Sequence, residues 1–410
     1  MKKIYILFIS MMAFMPSVFA QHNHKRCGAT EKREQLFREN PTLRVKFEET
    51  KKSLRADNSN KRTESLLIIP VVVHIVYKNT TDNLSDSRIH SQIDVLNKDF
   101  RKLNADKDNV PSYFKPLAAD CEIEFRLANR DPQGNVTTGI TRTQTSRDQF
   151  TMDGSEVHSN SSGGKTAWPT DKYLNIWVCP LEDGLLGYAS FPGDGSSTTD
   201  GVVITTQAFG VYTSSTSSYN KGRTGTHEVG HYLGLDHLWG VDGGCSDDDN
   251  ITDTPNQFEE TTGCPTGKIL DQCTASGDGI MYMNYMDYVN DACMNMFTTG
   301  QKTEMRKSLQ LHRSSLLNSP GFVTGFSNIT FSSNFDIFPN PAKEKVSIKT
   351  ENNPHLKTVN IVNTLGEVVR TEKNNNSEFE VNCSGLTQGV YILQVSDGVN
   401  NYSKKLIITE

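Results

Sequence analysis

The chain has 410 residues, 35% of them hydrophobic, and a formal net charge of −6. That length accommodates two or three domains, and so mild an acidic balance gives no basis for a nucleic-acid partner. At the N-terminus, Lys2 and Lys3 precede an apolar run from Ile4 to Met15 and the small-residue exit Val18-Phe19-Ala20. This is the pattern of a secretory signal peptide over 1–20, cut after Ala20. No later apolar run reaches the length of a transmembrane segment, so the expected product is secreted, or held at the cell surface by something other than a helix. Export also permits disulfides.

Residues 21–62 are polar and charged with little apolar periodicity and end in a basic linker, LRADNSNKRTE. Leu66 to Tyr77 then reads LLIIPVVVHIVY, near-continuously apolar and β-branched, as a strand buried on both faces would be. Pro70 is expected at its start, since proline cannot donate to a ladder. Ile89, Ile93, Leu96, Phe100 and Leu103 fall on one face of a helix. Residues 121–128, 173–179 and 201–205 read as further strands, 221–233 and 299–317 as helices. Strands interleaved with helices predict an α+β fold built on a mixed sheet. A linker at 319–334 follows. From 335 to 410, short alternating strands separated by turn residues predict a small all-β sandwich.

Three of the chain's ten histidines lie in HEVGHYLGLDH, residues 227–237. His227 and His231 stack one helical turn apart on the same face. Gly234 supplies a residue that can take positive φ and end the helix sharply, and His237 can then return to the same point. Three imidazoles with one position left open is the ligand set of a catalytic zinc. Stray histidines on a surface helix would explain neither the glycine nor the third histidine. Such a zinc supplies the acidity that activates a water. Glu228, beside a ligand but unable to share its geometry, is placed to accept the water proton and pass it to a leaving amine. A structural zinc would instead fill all four positions, usually with cysteine among them. Of the eight cysteines, Cys245, Cys264, Cys273 and Cys293 cluster after the motif, where two bridges are expected in any of three connectivities. Cys121 and Cys179 lie in strand-like runs and either pair or remain buried thiols. Cys27 and Cys383 stand apart.

HEVGHYLGLDH matches the HExxHxxGxxH signature of the metzincin metallopeptidases. NYMDY at 284–288 resembles that group's methionine-containing turn, which makes Met286 the floor beneath the zinc and Tyr288 the residue stabilising the tetrahedral intermediate. Residues 66–318, with HEVGHYLGLDHLWG, GGC…DTPNQ and NYMDYVNDACMNMFTTGQ, resemble the pappalysin family within the metzincins. The resemblance implies a twisted mixed sheet carrying the active-site helix, an irregular lower subdomain, and Cys245–Cys273 and Cys264–Cys293 bridges. It implies cleavage of protein or peptide substrates. It reads SDDDNITDTPNQ (246–257) as a calcium loop with Asp249, Thr252, Thr254 and Gln257 as ligands and Asp253 in support, since calcium takes closely spaced hard oxygens. Read alone, the run is an acidic solvated loop. Asp291 matches the acid of the pocket for the residue just after the cut, and would favour arginine, and less so lysine, by bidentate pairing. Read alone, it is a surface aspartate.

Cys27-Gly28, near the start of the exported chain, resembles the cysteine-switch element in which a leader thiolate takes the open zinc position. A disulfide to Cys121 or Cys383, or an idle thiol, are the alternatives. Release of the leader is expected near Asn60-Lys61-Arg62, with 63–318 as the catalytic domain. FPNPAKEKVSI, LGEVV, GLTQGVYILQV and the terminal KKLIITE resemble the type IX secretion sorting domain, which implies export by that machinery. A surface adhesion protein with a vestigial protease domain, and a zinc amidase acting on cell-wall material, are the competing functions. The first would not need ligands, base, methionine turn and tyrosine together.

Overall fold

The computed structural model describes residues 26–56, 65–193, 196–322, 335–350, 357–363, 368–396 and 401–409. The signal peptide expected at 1–20 and the Asn60-Lys61-Arg62 segment lie outside them. The larger unit takes in the described chain up to Leu127 and Ile140–Asn318. Its elements are α1 (Ala29–Glu39), α2 (Pro41–Ala56), β1 (Leu67–Tyr77), α3 (Asp86–Phe100), β2 (Ile123–Leu127), β3 (Ile140–Gln144), β4 (Leu174–Cys179), β5 (Gly187–Ala189), β6 (Val202–Thr205), α4 (Arg223–Tyr232) and α5 (Thr299–His312).

The β-strands form one mixed sheet in the order β2-β1-β4-β6-β5, with β3 also pairing β1. All neighbours are parallel except β5, which runs antiparallel to β6 at the edge. β1 is apolar and buried almost throughout because it lies inside the sheet with helices over it. Pro70 sits inside β1 rather than at its start, pairing in register with Arg126 of β2. It is tolerated because β4 joins β1 only from Val71 onwards, so the missing N–H falls where β1 has a neighbour on one side only. α3 ends at Phe100, and Lys102 takes φ 51°. Leu103 therefore leaves the apolar face and is exposed. The helix expected over 299–317 breaks at Arg313, whose guanidinium turns inward to Asp200 and the carbonyl of Tyr232.

Two helices, α1 and α2, occupy the stretch that showed little periodicity. Their buried stripes are Ala29, Arg33 and Phe37, and Phe47, Thr50, Lys51 and Leu54. The spacing is helical, but four of these seven buried positions are polar or small, so an apolar pattern does not appear. β3 and β5 also escaped the sequence reading: β3 is polar and half-exposed, and β5 has three residues.

Residues 233–298 form the lower part of this unit, with turns in place of regular elements. Cys245–Cys273 and Cys264–Cys293 are bonded there. Cys27, Cys121, Cys179 and Cys383 are free and buried. The second unit joins Ala128–Gly139 to the chain from Ser319 on; Asn129 and Arg130 both donate backbone N–H to the carbonyl of Gly321. It holds a four-stranded and a three-stranded antiparallel sheet around Val346, Ile348, Ile361, Leu393 and Leu406. No helix among the described residues is long and apolar enough to cross a membrane.

Candidate metal centre

α4 is buried along its whole length and carries His227 and His231 on one face. Gly234, at φ 102°, turns the chain immediately afterwards, and His237 comes back beside the pair. The three Nε2 atoms lie 3.0–3.3 Å from one another. His227 and His231 each place Nδ1 2.7 Å from a backbone carbonyl, Tyr285 O and Leu235 O respectively. A carbonyl only accepts, so Nδ1 carries the proton and Nε2 presents a lone pair. His237 stacks on Trp239 with ring centroids 4.6 Å apart. Burial drives all three imidazoles toward the neutral form, His231 to about 4. Three lone pairs facing one point at this separation repel unless a cation lies between them, and the residues fit a zinc ion.

Cys27 comes to the same place from the segment ahead of α1. Among the described residues, the one group of at least three histidine, cysteine or acidic side chains that can meet a single ion is Cys27, His227, His231 and His237. The thiol also donates to Glu228 Oε2 at 3.4 Å. Glu228 is wholly buried, and burial raises its carboxyl to about 8. The backbone here is fixed by a parallel bridge between Cys27 and Gly187, with Gly28 N donating to Gly187 O at 2.9 Å. A Cβ on Gly187 would stand 2.9 Å from Glu228 Cγ, so the edge strand and the carboxylate approach this closely only with glycine there.

Met286 is buried under α4, its sulfur so near Gly230 that a Cβ there would fall 2.5 Å away. The Tyr288 hydroxyl is 3.2 Å from His237 Nε2. Asp291 is buried, not on the surface. Its Oδ2 accepts from the backbone N–H groups of Lys221 and Arg223, at 2.8 and 3.2 Å, and its Oδ1 faces Arg26 Nη2 at 3.8 Å. Burial pushes the Asp291 carboxyl up, against the opposing pull of Arg26. Arg26 also donates to Val289 O and lies over the rings of Tyr219 and Tyr288, at 5.0 and 5.9 Å. Sequence reasoning missed Arg26, Tyr219, Trp239 and Gly187. Arg26 alone carried a signal, as the cation next to the leader cysteine.

Residues 158–310 match the family described as Pregnancy-associated plasma protein-A, and 336–409 match the Secretion system C-terminal sorting domain. An extracellular metalloprotease of Arthroderma otae is 31% identical over 314 residues, spanning 75% of this chain and 97% of the relative. A promirolysin variant of Tannerella forsythia is 49% identical, with a TM-score of 0.68 over 72% of this chain and 97% of that one. Mature mirolysin from the same organism, in complex with a cleaved peptide, is 53% identical, with a TM-score of 0.59 over 62% and 99%. The chain belongs to the pappalysin family. It is a zinc metalloendopeptidase, secreted or carried on the cell surface. Within this pappalysin, the metzincin fold expected from the motif is the fold observed.

The acidic run 246–257 brings part of its oxygens together: the Thr254 hydroxyl lies 2.8 and 2.9 Å from the Asp249 carboxylate oxygens and 2.7 Å from Ile251 O. Asp249 is buried, accepts from Ile251 N and from the Thr254 hydroxyl, and has no ion pair among the described residues. Burial raises its carboxyl to about 8. Thr252 is exposed. Gln257 is buried, its amide N–H groups spent on Glu259 O, Thr261 and Asp287 while its Oε1 lacks a hydrogen bond. Asp253 faces away, accepting from the Thr298 hydroxyl and Gly300 N at the start of α5. Asp247 accepts from Val241 and Asp242 N, closing a turn.

Proposed function

We propose that this metalloendopeptidase cuts peptide bonds before arginine, and less readily before lysine, and is held latent by its leader through Cys27. The observation that carries the reading is Arg26. One residue before the thiol that meets the histidines, it brings a guanidinium to buried Asp291 between two tyrosine rings. A substrate arginine just after the cut would find the same acid and the same rings. Peptide-library profiling is expected to return arginine at that position; an apolar preference would overturn the assignment.

His227, His231 and His237 would hold the zinc through Nε2. When bound, zinc supplies the Lewis acidity that makes a water nucleophilic near neutral pH. Glu228 is the base that takes that water's proton and returns it to the leaving amine. The Tyr288 hydroxyl donates to the oxygen that turns negative as the carbonyl becomes tetrahedral. Met286 keeps the floor beneath the histidines apolar and filled.

Cys27 acts twice in the latent chain. Its sulfur would supply the fourth ligand to a bound zinc, and it engages the base that catalysis needs. The leader is residues 21–62, followed by the catalytic domain 63–318, a linker at 319–334 and the sorting domain 335–410, which the type IX machinery reads. Cleavage before Arg62 would make release of the leader a reaction of the enzyme on itself. Glu228→Ala protein is then expected to remain full-length; normal maturation without added protease would remove self-processing from the account.

Calcium is proposed at the 246–257 loop, with Asp249, Thr254 and Gln257 nearest to a ligand role and Thr252 turning inward to join them. What supports it is a buried carboxylate without a cation and a buried amide oxygen without a donor. A calcium-selective chelator is expected to lower the melting temperature, and no shift would dismiss the ion.

A further inference from the structure

The leader meets the catalytic unit at a second acid, Asp236, which no step above uses. Asp236 precedes the third histidine and is buried. Arg33 Nη1 reaches its Oδ1 at 2.8 Å and Lys51 Nζ its Oδ2 at 2.9 Å. Both cations belong to leader helices, and among the described residues no side chain of the catalytic unit forms an ion pair with Asp236. The Arg33 guanidinium also lies 4.2 Å over the ring of Phe191, and that ring packs on His231 with centroids 5.1 Å apart. A carboxylate facing an aromatic ring is a seat shaped for a planar cation, and it touches the metal ligands.

Its position along the leader matters. Arg26 takes the Asp291 pocket, Cys27 meets the histidines, and Arg33 takes Asp236 and Phe191. The three histidines therefore lie between two acidic pockets, each filled in the latent chain by a leader arginine.

We infer that Asp236 and Phe191, once the leader has left, form a second specificity subsite that takes an arginine side chain of the substrate on the amino-terminal side of the cut. One guanidinium bound to both carboxylate oxygens would stand in for the two leader cations. Lysine, a point charge with weaker stacking on the ring, would be second best. The inference rests on the peptidase reading and on loss of residues 21–62.

The test uses enzyme matured from the full chain and peptides with arginine fixed just after the cut, scanning Arg against Gln at each position before it. The wild type is expected to gain about tenfold in kcat/KM from Arg at one of those positions. Asp236→Asn should abolish that gain, and Phe191→Leu, which keeps the carboxylate, should reduce it; both should retain the preference for arginine after the cut. A wild type indifferent to Arg before the cut overturns the subsite, as does an Asp236→Asn enzyme with an undiminished Arg-to-Gln ratio. If the wild type cleaves none of these peptides, the peptidase assignment fails first and this subsite with it.

Discussion

Gly187 gives Glu228 the space it occupies. In Gly187→Ala the new methyl would stand about 3 Å from Glu228 Cγ, Glu228 Oε1 and the carbonyl of Val203. The carbonyl belongs to β6 and cannot move, so the carboxylate must. This variant is expected to lose at least tenfold in kcat, since a displaced base no longer reaches its proton, while zinc content measured by atomic absorption stays near one per chain. Loss of zinc together with activity would place the damage at the histidines instead. Glu228→Gln removes the base itself and should lower kcat by roughly two to four orders of magnitude. The histidines and Glu228 were legible in the sequence because eleven consecutive residues encode them. Arg26 was not, because its meaning lies in Asp291, on the far side of the chain, and in two tyrosine rings that only the fold brings around it.

α1 and α2 dock through an interface that mixes rings and ion pairs. Phe37 packs on Phe47 and Phe47 on Phe191, and Arg33 and Lys51 converge on Asp236. Removing Arg33 leaves Asp236 paired with Lys51 alone and strips the cation from Phe191, at a cost below the about 3–5 kcal/mol of a fully broken buried pair. Arg33→Ala is therefore expected to loosen both helices and speed maturation, read as the time course of leader loss on a gel. An unchanged time course would mean that Cys27 alone sets latency. These helices were invisible to a periodicity argument because their buried stripes contain Arg33, Thr50 and Lys51, residues ordinarily found on the outside. β1 and α3, in contrast, bury aliphatic and aromatic side chains at regular spacing, and their existence and extent were readable to within a few residues. The exceptions, Pro70 and Leu103, depend on where neighbouring β4 begins and where α3 stops.

For the molecule as a whole, acid resistance should depend on histidines remote from the metal. His74 is buried inside the sheet, hydrogen-bonded to Thr141 and Asn175 and packed on Trp177, and burial lowers its pKa to about 4. The unfolded imidazole takes up a proton near pH 6.5, whereas the folded one waits until about 4. Its contribution is therefore complete above pH 6.5 and is lost as the pH falls toward 4, on the order of 3 kcal/mol in all. Melting curves of the inactive Glu228→Ala chain are expected to show this acid decline, and His74→Gln should flatten it between pH 6.5 and 4. An equally steep decline in the variant would assign the loss to other groups, with His158 the first to test.

Cys264–Cys293 encloses the stretch that carries Met286, Tyr288 and Asp291, and Cys245–Cys273 closes the overlapping loop before it. Thiols stay reduced in the cytosol and pair only in an oxidising compartment. The floor of the metal site is thus finished only after the chain has left the compartment that made it. Timing protects the producing cell, because the enzyme is assembled only where its targets are no longer the cell's own cytosolic proteins.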